Sequence, residues 1–117
     1  WHEVLPYPGA GEYAKEYKKM FGKTPDYHGA EAYAAVQVIA DVLSRADDPT
    51  DKNSIYMALE NTDTMTVFGP VKFISYGGKV HQNKLTSYVA QWIDGKLELV
   101  WPPASATKKY VFPVNWL

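Results

Sequence analysis

Residues 29–46 read GAEAYAAVQVIADVLSRA, and this stretch sets the architecture. Ala32, Val36, Ile39, Ala40 and Leu43 recur at helical spacing, and Tyr33 and Val42 widen the stripe. The spacing predicts a long helix whose broad, alanine-rich face packs closely against a sheet. Asp47-Asp48-Pro49 ends it. Thr50 is placed to cap a further helix over residues 51–60, with Asp51 favourable in its first turn. Ile55, Ala58 and Leu59 would form the inner face of that helix, and Asn61-Thr62-Asp63 would close it.

Working upstream, residues 11–21 predict an earlier helix. Tyr13, Tyr17, Met20 and Phe21 fall at i, i+4, i+7 and i+8, and Glu12, Lys15, Glu16, Lys18 and Lys19 cover the opposite face. Gly22 is the expected stop, and Pro25 turns Thr24 away from helix. Residues 1–5 read as the end of a strand, halted by Pro6 and Pro8, which supply no ladder donor.

Downstream the period changes to two. Residues 71–74 read as a short strand between Phe68-Gly69-Pro70 and the glycine turn at Tyr76-Gly77-Gly78. Residues 85–93 and 96–101 read as an antiparallel pair joined at Asp94-Gly95, a type I′ hairpin signal. Pro102-Pro103 stops the pair. The tail over residues 104–117 reads as an extended strap pinned by Tyr110, Phe112, Pro113 and Trp116. Three helices with so few strands predict part of an α/β domain, because three helical faces need a larger sheet to cover them.

Composition narrows the function classes. The chain has 117 residues, 46% hydrophobic and 21% charged, which is ordinary globular material. Its net charge of -1 implies no basic face, so nucleic acid is not an expected partner. Lys18, Lys19 and Lys23 cluster, but Glu12 and Glu16 share their helix and make it a solvated face. There is no Cys, hence no disulfide scaffold, thiolate metal site or Cys nucleophile. No apolar run approaches the ~18 residues of a membrane span. No signal-peptide pattern is present, and the sequence opens at Trp1 inside its first predicted strand.

No motif supplies catalysis. Gly9-Ala10-Gly11-Glu12-Tyr13-Ala14 formally fits a dinucleotide turn, but Pro6 and Pro8 intervene and no acidic strand end follows about 20 residues on. His28 and Glu31 would share a helical face, yet a metal needs three or more ligands, and His2 and His81 lie far off. Ser75, Ser87 and Ser105 lack any nucleophile-elbow context. Gly77-Gly78-Lys79 lacks the following helix that a phosphate cradle needs. The expectation is a protein without catalytic residues, metal or cofactor.

Five segments, in order, carry a resemblance. Tyr17-Lys18-Lys19-Met20-Phe21-Gly22-Lys23-Thr24-Pro25 is similar to the Y-x-x-x-F-G-x-x-P segment of type I periplasmic solute-binding proteins of the branched-chain amino acid group. Ala30-Glu31-Ala32-Tyr33-Ala34-Ala35 resembles that family's A-x-x-Y-A-A helix, and Ala58-Leu59 its next short helix. Phe68-Gly69-Pro70-Val71-Lys72-Phe73 resembles x-G-P-x-x-F. Val89-Ala90-Gln91-Trp92-Ile93-Asp94-Gly95-Lys96 resembles the V-x-Q-W-x-D-G-K hairpin.

The resemblance implies the C-terminal portion of a bilobal receptor that holds a small molecule, an amino acid or related carboxylate, in an interlobe cleft. It implies an ABC importer permease in the membrane as partner. It implies a periplasmic location, or a lipid-anchored extracellular one in a single-membrane bacterium. Residues 1–26 and about 84–117 would belong to the C-terminal lobe, and about 27–83 to the N-terminal lobe. Tyr27 and His28 match a ligand-facing crossover of the family, with Glu31 one turn further in. The family's clamp for the ligand carboxylate and amine would lie before Trp1, so the ligand class stays open. A chain of this extent should sit with the remainder of its receptor or self-associate. Two competing classes are a ligand-sensing regulatory domain with the same fold and a small α/β enzyme. The enzyme would need a nucleophile or metal that the sequence does not offer.

Overall fold

A computed structural model describes residues 1–114. Three helices come first: α1 (Ala10–Phe21), α2 (Tyr27–Arg45) and α3 (Lys52–Glu60). Five strands follow: β1 (Asp63–Thr66), β2 (Gly69–Tyr76), β3 (Lys79–Asn83), β4 (Val89–Ile93) and β5 (Lys96–Trp101). The strands form two antiparallel sheets, β1-β2-β3 and β4-β5. Three helices beside hairpin-built strands agree with an α/β fragment of a larger fold.

Each helix ends for a local reason. Gly22 closes α1 in the left-handed region at φ 68°, its N–H donating to Lys18 O at 2.9 Å. Asp26 caps α2, its carboxylate accepting from Gly29 N at 2.8 Å, so the helix begins two residues before the hydrophobic period does. Asp51, and not Thr50, caps α3 by accepting from Ser54 N at 3.0 Å. Thr50 instead donates its hydroxyl and N–H to Asp48 Oδ1, at 2.7 and 2.8 Å. Those bonds hold the Asp48 carboxyl below its ordinary range. Arg45 ties α2 to α3: it pairs with Asp41 and donates to Ala58 O at 2.9 Å and to Thr62 Oγ1 at 3.3 Å.

The sheets follow their turns. Gly77 and Gly78 (φ 58° and 76°) join β2 to β3, and Asp94 and Gly95 (φ 52° and 72°) join β4 to β5. Positive φ at both central positions is the type I′ geometry that matches strand twist. β1 pairs with β2 from Asp63↔Lys72 to Thr66↔Gly69, a strand absent from the sequence reading. The expected strand over residues 85–93 shortens to Val89–Ile93.

Residues 1–5 are not a strand. The chain turns back on itself, with Leu5 N donating to His2 O at 3.1 Å, and Pro6 and Pro8 deny it a ladder. Among its described residues, the tail is pinned by polar groups and not by rings. Thr107 and Lys108 donate N–H groups to Leu99 O, and the Gln91 amide exchanges two bonds with Val111. Tyr110 and Phe112 stand exposed, and Trp116 lies outside the described residues.

The core is thin. Among the described residues, the nine buried hydrophobic ones include five alanines: Ala10, Ala14, Ala30, Ala34 and Ala58. On α1 the alanines, and not the aromatic stripe, are buried, and Met20 and Phe21 face outward. The α2 stripe expected to meet a sheet is also open: Val36, Ile39 and Leu43 are 62%, 56% and 42% exposed.

Candidate ligand-facing site

The start of α2 is built from its cap. Pro25 is buried and anchors the approach, while Asp26 closes the first turn and fixes the direction of the next two side chains. Tyr27 and His28 then stack, ring centroids 3.8 Å apart at 32°. Both face outward. The pair offers an aromatic face, a phenol and an imidazole beside free helix N–H groups, a combination suited to a small acid or an aromatic ring.

Glu31 does not join them. It borders a concavity of about 210 Å³ between α2 and the β1–β2 hairpin, walled by Ala34, Ala35, Val38, Phe68, Pro70 and Leu85. Tyr27 and His28 do not line it. The structure thus brings two of the three sequence-marked residues together and sets the third over an apolar hollow. Among the described residues no three His, Asp or Glu side chains gather as metal ligands.

A second groove escaped sequence reasoning. Between α1 and α2 runs a channel of about 570 Å³, with Tyr13, Tyr17, Phe21 and Tyr33 along it. Tyr13 and Tyr33 are 4.8 Å apart, Tyr17 and Phe21 4.6 Å. Gly29 makes the approach possible, since a Cβ there would sit 3.0 Å from Tyr13 Oη. Burial, then the neighbouring Tyr17, Asp26 and Tyr33, push the Tyr13 phenol above its ordinary pKa. The i, i+4 spacing of Tyr13, Tyr17 and Phe21 was the available signal, but it reads equally as a core stripe.

Residues 1–96, which include the capped start of α2, the Gly69-Pro70 corner and the Asp94-Gly95 turn, match the periplasmic binding protein family in sequence. The chain belongs to that family. The recognition made from the five sequence segments therefore stands. Among curated relatives, Leu/Ile/Val-binding protein homolog 7 of Brucella melitensis is 31% identical over 111 residues, covering 91% of this chain and 27% of the relative. Leu/Ile/Val-binding protein homolog 8 of Brucella abortus is 33% identical over 110 residues, covering 90% and 26%. No solved structure gives a significant match. The chain spans about a quarter of the length of the relatives it matches. These relatives are named as binding proteins and not as enzymes. No helix among its described residues is long and apolar enough to cross a membrane.

Proposed function

We propose that the chain is the C-terminal part of an ABC importer's solute receptor, which captures an amino acid or related carboxylate without transforming it. Family membership and the relatives named for Leu/Ile/Val binding support a solute receptor of the periplasm. The single structural observation behind the reading is the exposed Tyr27–His28 stack on a capped helix start. In this reading residues 1–26 and about 84–117 serve one lobe and about 27–83 the other. The stack then stands at a crossover, where hinge closure would bring it onto ligand. Glu31, over its apolar hollow, is the accessory candidate for an ammonium group. The missing three quarters of the receptor would cover the open α2 stripe and supply the principal ligand clamp. The filled receptor would then dock on its membrane permease.

Thermal denaturation of the whole receptor against leucine, isoleucine, valine and a set of aromatic acids tests this. A ligand that binds only the folded state at a hundred times its Kd stabilises by about 2.7 kcal/mol. One compound should raise the midpoint, and changing Tyr27 and His28 together to Ala should reduce that rise. No shift with any compound, in a well-folded protein, would refute the receptor reading. An undiminished shift in the double variant would refute only the role of the stack.

A further inference from the structure

The residues before α1 pass over the turn between β1 and β2 and are fastened there at successive points. Trp1 Nε1–H donates to Val67 O at 2.7 Å. The Tyr7 ring lies on Gly69 so closely that a Cβ there would stand 3.1 Å from Tyr7 Cζ. Tyr7 Oη and Tyr88 Oη are 2.8 Å apart in a single hydrogen bond. Tyr88 is the residue just before β4, at the end of the segment that joins the two sheets.

The turn beneath is rigid. Gln37 of α2 accepts from Val67 N at 3.0 Å, and Val67 is buried with Ala10 and Ala34. Thr66 Oγ1 donates to Gly69 O at 2.8 Å and accepts from Phe68 N at 3.2 Å. Gly69 itself sits at φ 126°, where a side chain would be strained as well as crowded. One phenol therefore joins the segment before α1, the β1–β2 turn and the approach to β4. Burial first, and the Tyr88 hydroxyl second, push the Tyr7 phenol up to about 12, so the Tyr7 hydroxyl keeps its proton at neutral pH.

We propose that the Tyr7–Tyr88 hydroxyl pair, seated on Gly69, is a hinge clasp that favours one lobe arrangement of the receptor over the other. The inference rests on the two-lobe reading, in which Tyr7 and Tyr88 lie on one side of the boundary and Gly69 on the other. Rotating the lobes slides the Tyr7–Tyr88 unit across Gly69, which strains the ring contact that the hydroxyl pair holds in place. The clasp touches no ligand. It acts through the population of the binding-competent arrangement.

The test uses the full-length receptor with spin labels at Lys52→Cys and Lys96→Cys. These are exposed positions on α3 and on the β4–β5 hairpin; the 117 residues hold no Cys, and any Cys elsewhere in the receptor is first changed to Ser. Tyr88→Phe and Tyr7→Phe keep the rings and remove one hydroxyl each, and a thermal melt confirms that both fold. Without added solute, both variants should shift the ratio of the two interlobe distances about 2- to 10-fold, as one hydrogen bond allows. The double variant should shift it no further than either single one. Variant distributions identical to the wild type would overturn the clasp. The wild type measured with saturating leucine, isoleucine or valine reports separately on the hinge. A distance that moves there while the variants stay unchanged leaves the two-lobe reading intact and removes only the clasp. A distance that no solute moves and no variant alters removes both.

Discussion

Asp26 shows how one side chain sets up a candidate site. Its carboxylate accepts from Gly29 N at 2.8 Å and thereby decides where α2 starts and how Tyr27 and His28 leave it. Asp26→Ala should cost about 1 kcal/mol in a urea titration, while Asp26→Asn, which still caps, should lose much less. Equal losses in the two variants would show that the cap bond is not the source. Tyr7 provides a second residue-level test. Its pKa is about 12 in the folded chain against 10.0 for an ordinary phenol. The folded value is the raised one, so Tyr7 contributes stability that is fully present below pH 10 and is lost as pH rises toward 12. An alkaline absorbance titration should show a late phenol component near pH 12, and Tyr7→Phe should remove that late component. If the late component survives Tyr7→Phe, it belongs to another phenol. The sequence marked Tyr27, His28 and Glu31 through family likeness, and the stack of the first two follows from their being neighbours on a capped turn. That Glu31 overlooks a separate hollow was not legible, because the hollow is made by Phe68, Pro70 and Leu85, distant in sequence.

At the scale of elements, the strongest local signals were the reliable ones. The long helical period and the Asp94-Gly95 turn both reappear in the structure, since each is decided within a few residues. Gly95→Ala should place a Cβ at φ 72° and cost about 1–2 kcal/mol. The loss should appear as faster amide exchange across β4 and β5, with the α2 amides unchanged. Equal acceleration in both regions would mean the hairpin does not open by itself. What the sequence concealed was decided by partners. β1 reads Asp63-Thr64-Met65-Thr66, too short and too polar to declare a strand until Lys72 to Gly69 run beside it. Residues 1–5 have the apolar look of a strand, but no strand pairs with them among the described residues, and they turn back through the bond between Leu5 and His2. Polar bonds from Gln91 and Thr107 likewise hold the tail, where aromatic content had pointed to ring packing.

The whole molecule is larger in extent than its core can explain. Its radius of gyration is 17.4 Å, where a self-contained domain of this length would have about 13 Å. The buried set is mostly alanine, while Val36, Ile39 and Leu43 stand open along α2. Covering what remains exposed of each such residue is worth about 1 kcal/mol, so the stripe as a whole creates a drive to find a partner. In a receptor four times longer the upstream chain would supply that partner. The 117-residue chain alone has only another copy of itself. Light scattering on the isolated chain should therefore report a dimer or larger species at micromolar concentration, and Ile39→Lys, which charges the middle of the stripe, should return it to monomer. The full-length receptor of the proposed reading should be a monomer, because its upstream chain would cover the stripe; there Ile39→Lys should instead lower the melting midpoint by burying a charge. An isolated chain that stays monomeric and folded at every concentration would mean that α2 tolerates its exposed stripe, and that the missing chain is not needed to cover it.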